Sequence, residues 1–211
     1  MDDGAAQPHK AKIRRENRTR ILVAAEQAFA EHGFAGATMT NIAKRASLPK
    51  ANLHYYFGTK DELYRAVLDS ILEEWISKLN LWRIDADPGT VIKNYIRDKL
   101  EFSRRRPQAS KVFASEIIHG APILASFISA DLRHLVEQKA AVVHEWVRLG
   151  LIKPVDGPHF IFTLWALTQH YADFEVQIRL ILGRDALTDD DWESIAGYVE
   201  VFVLRAVGLA S

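Results

Sequence analysis

The sequence predicts an all-α fold of about nine helices. Three observations support this prediction: apolar residues recur every three or four positions along nearly the whole chain, no segment shows the apolar and polar alternation of a strand, and Gly or Pro clusters separate the periodic stretches. A strand would alternate with a period of two residues. Helices are therefore the expected building blocks, and each can be placed in turn.

Two short helices follow a longer first helix. The first helix carries a repeating apolar face and ends near Gly33. A second begins at Thr38, and a third runs from about Pro49 to Tyr56 after only a few residues. This third segment, PKANLHYY, is polar and aromatic, where packing in a core would favour Leu and Val. Two helices with such a tight connection match a helix-turn-helix, the motif that places its second helix in a DNA groove.

Longer amphipathic helices make up the rest of the chain. Thr59 and Glu62 form an S/T-x-x-E capping box that starts a fourth helix, whose apolar residues continue to Leu79. A fifth helix runs from about Val91 to Phe102. Four more helices are predicted at about 108–118, 122–150, 157–182 and 190–208.

Composition excludes several classes of protein. The 211 residues are 48% hydrophobic, enough for one or two compact domains, and they include no cysteine, which excludes disulfides and thiolate metal sites. The chain has neither a signal peptide nor an apolar stretch of membrane-spanning length, so we expect a cytoplasmic protein without membrane association. No HExxH, phosphate-binding glycine loop or GxSxG occurs, and we expect no cofactor, no metal and no enzymatic activity.

Charge is distributed unevenly although the formal net charge is zero. Residues 1–60 carry ten Lys or Arg and five Asp or Glu, a net charge of +5, and residues 61–211 have a net charge of −5. Basic residues are concentrated near the N-terminus, where they would neutralise phosphates or simply keep a tail in solution. These basic residues are Lys10, Lys12, Arg14, Arg15, Arg18 and Arg20.

Several segments resemble the TetR family of bacterial transcription regulators. The segments FAEHGFAGATMTNIAKRA, PKANLHYYF and GTKDEL carry the resemblance over roughly residues 18–68. Further along, RPQASKVFASEIIHGAPIL and WALTQHYADF are similar to the RutR-type branch of that family, which controls pyrimidine catabolism. Where the family usually has Ser or Thr before the recognition helix, this chain has Pro49, which lacks the hydroxyl but suits helix initiation.

The resemblance implies a ligand-responsive repressor that binds a palindromic operator in double-stranded DNA as a homodimer. It also implies a small-molecule effector, such as uracil or thymine, that alters the affinity for DNA. The chain would then consist of a flexible basic arm, a helix-turn-helix domain, and a domain for ligand binding and dimerisation. The expected boundaries are 1–16, 17–62 and 63–211. The alternative is a helical small-molecule-binding enzyme or adaptor whose head no longer binds DNA.

The exposed side of the third helix carries side chains suited to DNA. Asn can pair with adenine, and a Tyr ring can contact a thymine methyl while its hydroxyl reaches a phosphate. We expect Asn52 and Tyr55 to contact bases. The residues expected to contact phosphates are Thr38, Lys50 and Lys60. The complete set of predicted DNA-binding residues is Thr38, Lys50, Asn52, His54, Tyr55, Tyr56 and Lys60.

A helical wheel over PHFIFTLWALTQHYADFEVQI predicts the effector site. Trp165, Gln169 and Asp173 fall on one side of this helix. Gln and Asp are seldom buried without partners, so they are either satisfied core polar groups or contacts for a small planar ligand. Uracil or thymine would pair with the amide and the carboxylate and stack on the indole. Trp75 and Glu116 complete the predicted ligand-binding site.

The last helix carries an apolar face that we expect to form part of a dimer interface around a two-fold axis. With the outer face of the 157–182 helix it would form a four-helix interface between two copies of the chain. Such a dimer would set its recognition helices about 34–36 Å apart, one turn of B-DNA. The predicted interface residues are Trp192, Ile195, Tyr198, Val199, Phe202 and Val203.

Overall fold

The structure, a computed structural model, describes residues 6–209, with side chains from Lys10 onward. That part of the chain contains ten helices and no strand, which confirms the all-α prediction. The helices are α1 (Ala6–Gly36), α2 (Met39–Arg45), α3 (Lys50–Phe57), α4 (Lys60–Leu79), α5 (Pro88–Arg105), α6 (Pro107–Ile118), α7 (the contiguous segments Ala125–Phe127, Ile128–Leu132 and Arg133–Arg148), α8 (Gly157–Asp173), α9 (Glu175–Ile181) and α10 (Asp189–Ala206).

One predicted helix is two helices in the structure, which corrects the expected number from about nine to ten in the described range. The stretch predicted as 157–182 is divided at Phe174, whose backbone (φ −112°, ψ 26°) leaves the helical range between α8 and α9. Apolar residues continue across the break, so the periodicity gave no sign of it. A π-helical turn at Ile128–Leu132 interrupts α7 without ending it.

The chain divides into two compact units, Met1–Ile71 and Leu72–Ser211. This boundary lies within α4, later than the expected boundary after residue 62. The first part of α4 belongs to the first unit because Tyr64 packs against Phe29 and Phe34, with ring centroids 4.9 Å apart in both pairs. The predicted arm also differs: residues 1–5 lie outside the described residues, and α1 already begins at Ala6.

The first unit has a small core that holds α3 by one side. Phe29 of α1, Ile42 of α2 and Leu53 of α3 are almost fully buried. α1 is kinked at Gly33, shortly before its end at Gly36, and the φ of 67° at Gly33 is a left-handed conformation that glycine adopts readily. Because only the inner side of α3 contributes to this core, its opposite side stays exposed.

The second unit is organised around α5, which packs against α8 and α10. Aromatic side chains fill its core: the Trp82 ring lies 5.4 Å from Tyr95, edge-on, and 5.7 Å from Trp146. At the edge of this core, the buried carboxylate of Glu200 on α10 pairs with Arg97 on α5. These contacts hold α5 in place, and α5 in turn presents its remaining inward side chains to α4 and α8.

Candidate functional site

The α2–α3 pair has the tight connection that the sequence predicts. Thr38 caps α2, its hydroxyl oxygen accepting a hydrogen bond from Asn41 N at 3.1 Å. The chain then turns at Ser47, which adopts a left-handed φ of 52°, and α3 starts after Pro49 with no side-chain capping bond. The Thr38 cap uses an oxygen lone pair and leaves the hydroxyl proton available for a phosphate.

The outer side of α3 consists of polar and aromatic side chains that the core does not use. The Tyr55 side chain is 71% exposed, and its ring lies edge-on to Tyr56 with centroids 5.2 Å apart. His54 Nδ1–H donates to the Gly58 carbonyl oxygen at 2.7 Å, so one ring nitrogen is engaged with the backbone. The predicted DNA-binding residues of α3 are all exposed or half-buried: Lys50, Asn52, His54, Tyr55 and Tyr56.

Basic residues of α1 lie beside the exposed side of α3. The Arg14 guanidinium is 5.8 Å from the centroid of the Tyr55 ring, and Arg18 is 5.4 Å from that of Phe57. Arg20 Nη2 donates to the Ala46 carbonyl at 2.8 Å, next to the turn between α2 and α3. The basic run is thus helical from Lys10 to Arg20 and continues the polar side of α3 into a positively charged surface.

Lys60 is partly engaged inside the first unit. Its Nζ donates to the carbonyl oxygens of Phe34 at 2.8 Å and Ala37 at 3.2 Å, and it lies 4.3 Å from the centroid of the Phe34 ring. These bonds tie the start of α4 to the end of α1. An ammonium has three N–H donors, so one donor remains for the predicted phosphate contact.

The second unit encloses a cavity of about 50 Å³, lined by side chains from α4, α5, α6, α7 and α8. Three predicted ligand-binding residues, Trp75, Trp165 and Gln169, line this cavity. The Trp75 ring is held edge-on by Phe102 and Phe113, with centroid distances of 5.4 and 4.8 Å. The structure thus brings together three side chains that the sequence places on two helices far apart in the chain.

Two polar residues that the sequence analysis missed, Tyr95 and Lys99, also line the cavity. Trp165 Nε1–H donates to the Tyr95 hydroxyl oxygen at 2.8 Å, and burial raises the pKa of Tyr95. Lys99 is only 2% exposed, and its Nζ lies 3.5 Å from the centroid of the Trp75 ring. Burial lowers the pKa of Lys99 to about 7, against the attraction of Asp173.

The two predicted carboxylates lie outside the lining of this cavity. Ser110 Oγ–H donates to Asp173 Oδ1 at 2.5 Å, and burial raises the pKa of Asp173. Glu116 is buried, and its Oε1 accepts from the backbone amides of Ile123 at 2.7 Å and Leu124 at 3.0 Å. Glu116 therefore holds the loop after α6, whereas Asp173 contributes an electrostatic attraction to the cavity's lysine.

Apolar side chains remain exposed on the last three helices. On α10, Tyr198 is 66% and Phe202 is 51% exposed, as expected for an interface. Three other residues predicted for that interface, Ile195, Val199 and Val203, belong instead to the core of the second unit, because α10 has to bury one face against its own chain. Further exposed apolar residues on and around α9 are Phe174, Val176, Leu180, Ile181 and Leu182.

The described residues contain neither a candidate metal site nor a candidate membrane-spanning helix. Among the described residues, no group of three or more His, Asp or Glu side chains is arranged to hold a metal ion. No helix between residues 6 and 209 combines the length and apolar character needed to cross a lipid bilayer.

These features define a helix-turn-helix DNA-binding regulator: a short helix with an exposed polar side, a basic helix beside it, and a separate helical unit with a cavity. Comparison with known proteins identifies the family. Residues 21–67 match the family described as "Bacterial regulatory proteins, tetR family", and residues 68–210 match "YcdC-like protein, C-terminal region". The chain therefore belongs to the TetR family of transcription regulators.

Individual relatives support this membership. The chain is 45% identical to the HTH-type transcriptional regulator RutR of Escherichia coli (strain K12) over 163 residues, which cover 77% of each chain. It is 30% identical to the HTH-type transcriptional repressor SCO4008 of Streptomyces coelicolor, over 84% of this chain and 90% of the relative. The identity with RutR supports the RutR-like branch, and these relatives are transcription regulators, which removes the enzyme alternative.

A solved structure shares the fold. The crystal structure of the Streptomyces coelicolor protein SCO4942 superposes with a TM-score of 0.71 at 22% sequence identity. The alignment covers 91% of this chain and 98% of that one, so both units have counterparts in it.

Proposed function

We propose that this regulator is a repressor that binds a palindromic operator as a homodimer and leaves it when a pyrimidine base, such as uracil or thymine, occupies the cavity of the second unit. The observation that carries the proposal is the lining of that cavity by two indole rings and a carboxamide, Gln169. The likeness of two C-terminal segments to the pyrimidine-catabolism branch of the family supports the same ligand class.

The polar groups of the cavity suit a pyrimidine base. Uracil has ring N–H donors that alternate with carbonyl acceptors, and the Gln169 amide offers one donor and one acceptor at adjacent atoms. The rings of Trp75 and Trp165 provide flat apolar surfaces against which a planar ring can pack. Asp173 would influence the ligand indirectly, by its attraction for Lys99. Glu116 is not assigned a ligand contact, because its carboxylate accepts from the backbone of the loop after α6.

The size of the cavity implies a conformational response to the ligand. A six-membered ring needs a cavity of about 150 Å³, and the present cavity measures about 50 Å³. Lining residues must therefore move outward when a base enters. Leu72, Trp75, Ile76 and Leu79 of this lining belong to α4, the helix that begins in the first unit directly after α3. A ligand that favours one position of α4 and an operator that favours another would compete through that helix.

On the DNA side, the proposal assigns contacts by side-chain chemistry. Asn52 and Tyr55 would contact bases, because an amide reads adenine and a ring meets the thymine methyl group. Thr38, Lys50 and the remaining donor of Lys60 would contact phosphates. His54 and Tyr56, which share the outer side of α3, would support these contacts from its C-terminal end.

The homodimer would form through α8, α9 and α10. The rings of Tyr198 and Phe202 and the apolar residues around α9 are exposed, and clusters of exposed apolar side chains often mark a protein–protein interface. A two-fold interface pairs each patch with its own copy, as most homodimers do.

A gel-shift experiment tests the proposal. The full-length protein is titrated onto duplex DNA from the region upstream of its own gene and onto a scrambled duplex of equal length, at physiological salt. We expect a preference for the upstream duplex, and release by uracil or thymine but not by adenine. An intact dimer that binds both duplexes equally would exclude the repressor, and selective binding unaffected by any pyrimidine would exclude only the effector.

A further inference from the structure

The cavity of the second unit offers more hydrogen-bond donors than acceptors. The Tyr95 oxygen accepts from Trp165 Nε1, and its own O–H has no acceptor among the described residues. Trp75 Nε1–H is buried and likewise has no partner in that part of the chain. Lys99 adds the donors of its side-chain nitrogen, and Gln169 adds one amide. A ligand that satisfies this lining must be rich in acceptors.

Of these groups, Lys99 has the strongest need for a bound partner, because its side chain can carry a full charge. Its side chain is almost completely buried, and the nearest feature of its nitrogen is the face of the Trp75 ring, 3.5 Å away. An indole face attracts a cation but does not neutralise it. Buried charges in proteins are normally paired with an opposite charge, because removal from water is costly.

The helices packed around Lys99 leave it without a counterion. On α8, Asp173 attracts it, but the carboxylate accepts from Ser110 on α6 and forms no ion pair with Lys99 within the described residues. Asp173 also interacts electrostatically with Lys111 on α6 and with His170 on α8. This carboxylate is therefore shared among Lys99, these groups and the hydrogen bond from Ser110.

The other surrounding helices supply no free anion either. Glu74 on α4 is engaged by two arginines at the C-terminal end of α5, Arg105 at 3.0 Å and Arg106 at 2.8 Å. From α7, the group that reaches the cavity is the apolar Leu132. From α5 itself, Tyr95 presents a hydroxyl that is neutral at physiological pH. No described residue supplies the anionic partner of Lys99, so a bound ligand is the candidate for it.

We propose that the effector is that partner: a planar cyclic imide, with a ring N–H between two carbonyl groups, that binds as its anion in an ion pair with the Lys99 ammonium. The inference rests on the proposed function and specifies the chemistry of its ligand. Starting from a neutral imide and a neutral amine, the N–H bond of the imide breaks, an N–H bond of the ammonium forms, and the negative charge spreads over both carbonyl oxygens. The remaining donors of Tyr95 and Trp75 suit those oxygens.

Counting protons gives the pH dependence of binding. Below pH about 7, free Lys99 is an ammonium and free uracil is neutral, so formation of the ion pair releases one proton and affinity rises with pH. Above that pH both free partners are neutral, and no proton is exchanged. If the ammonium instead donated to the carbonyl of a neutral base, affinity would be constant below pH about 7 and would fall above it. The two binding modes therefore differ in the sign of the pH dependence.

The first experiment uses the unmodified dimer. Uracil is titrated by calorimetry between roughly pH 5.5 and 8.5, in two buffers of different ionisation enthalpy, to obtain both the affinity and the number of protons released. We expect affinity to increase roughly tenfold per pH unit below the pKa of Lys99 and then to level off. A decrease of affinity above that pKa, with proton uptake, would overturn the ion-pair proposal.

A second experiment varies the acidity of the ligand. 5-Fluorouracil has nearly the shape of uracil and a more acidic imide, and we expect it to bind several-fold more tightly at neutral pH. Lys99→Met, which keeps the length of the apolar stem, should weaken uracil binding roughly tenfold or more and should abolish the preference for 5-fluorouracil. The control is Lys93→Met, which changes an exposed lysine on the same helix and should leave both affinities unchanged.

The outcomes separate the two proposals. An absence of heat with every pyrimidine would remove the effector named under the proposed function. Pyrimidine binding that keeps its preference for 5-fluorouracil in Lys99→Met, or that falls with rising pH in the unmodified protein, would leave that effector in place and overturn the ion pair. Because the pH titration needs no variant, a misfolded Lys99→Met protein would still leave the inference tested.

Discussion

The two units place their candidate functional side chains in opposite environments. In the first unit, most of them lie on one helix of 8 residues, and Tyr55 on that helix is 71% exposed. In the second unit, the cavity residues come from five helices between Leu72 and Gln169, and Lys99 is 2% exposed. An exposed face is specified locally, because residues close in sequence share a helix side. A cavity is specified only by the packing of the whole unit.

This difference also has an energetic side. Polar side chains on the outside of α3 stay solvated, so the first unit presents them at little cost to folding. The second unit instead buries an amine, Lys99, among apolar residues that would pack more favourably around a Leu or Met. We therefore expect changes in the first unit to affect DNA binding alone, and changes in the second to affect ligand binding, assembly and stability together.

We expect the largest effect from a change in the second unit that also abolishes DNA binding by the first. Phe202→Glu places a charge at an exposed residue of the proposed dimer interface on α10. We expect light scattering to show a monomer and gel shifts to show no operator complex, because one head covers half of a palindromic site. Ile84→Glu adds the same charge at a residue of similar exposure before α5 and should remain dimeric. A dimeric Phe202→Glu protein would place the interface elsewhere.

The next effect concerns the stability of the second unit. Lys99 has a pKa of about 7 in the folded protein and 10.5 as a free side chain. Between these values the unfolded chain binds more protons, so the destabilisation caused by Lys99 is complete below pH about 7 and disappears as the pH rises toward 10.5. We expect Lys99→Met to raise the free energy of unfolding at pH 7, with a gain that shrinks toward pH 10.

Urea unfolding followed by circular dichroism at both pH values measures this gain. Lys93→Met, at an exposed position of the same helix, serves as the control and should show no such pH dependence. A stability gain that stays constant between the two pH values would mean that Lys99 is not buried as an ionisable amine.

Much of the fold follows from local sequence signals. The start of α4 after the Thr59 box and the short α2 and α3 agree with the structure because caps and apolar spacing are local properties. The break at Phe174 did not follow, since the apolar pattern continues across it. Nor did the early start of α1 at Ala6: charge alone suggested an arm, whereas the Lys, Arg and Glu residues there are also good helix formers.

The cavity residues could be predicted from the sequence less completely than the helices. Trp165 and Gln169 could be named because one helix carries both, and the structure places both at the cavity. Lys99 lies on the same apolar side of α5 as Tyr95 and Ile96. The sequence analysis still missed it, because the long side chain of a single lysine on such a side usually extends to water. Glu116 was predicted to bind the ligand, but its carboxylate accepts from two backbone amides, a contact that no residue pattern reveals.

In the first unit, Tyr55 is a side chain proposed to contact a base. We expect Tyr55→Ala to lower operator affinity roughly tenfold to a hundredfold, the range of one good base contact, with a smaller effect on a scrambled duplex. Tyr55→Phe keeps the ring and loses the hydroxyl, so it should retain sequence preference. Both variants should bind uracil like the unmodified protein. Equal losses on operator and scrambled DNA would assign Tyr55 to the backbone instead.

The corresponding change in the second unit is Gln169→Ala. Loss of a buried hydrogen-bonding partner costs about 1–3 kcal/mol, so uracil binding should weaken about tenfold. Operator affinity without ligand should change little, in contrast to Tyr55→Ala. Gln108→Ala removes an exposed amide on α6 and is the matched control for calorimetry. Unchanged uracil binding by Gln169→Ala would place the base elsewhere in the unit.

The smallest expected effect distinguishes two lysines of the first unit. Lys50 is exposed at the start of α3, and its loss should reduce the slope of log affinity against log salt by about 0.9, the share of one phosphate. Lys60 also donates to the carbonyl groups of Phe34 and Ala37, so Lys60→Ala should lower the melting temperature as well as the slope. Because exposed charges contribute little to folding, Lys50→Ala should melt like the unmodified protein. Equal melting temperatures for both variants would mean that the internal bonds of Lys60 contribute nothing to the fold and that its role is confined to DNA.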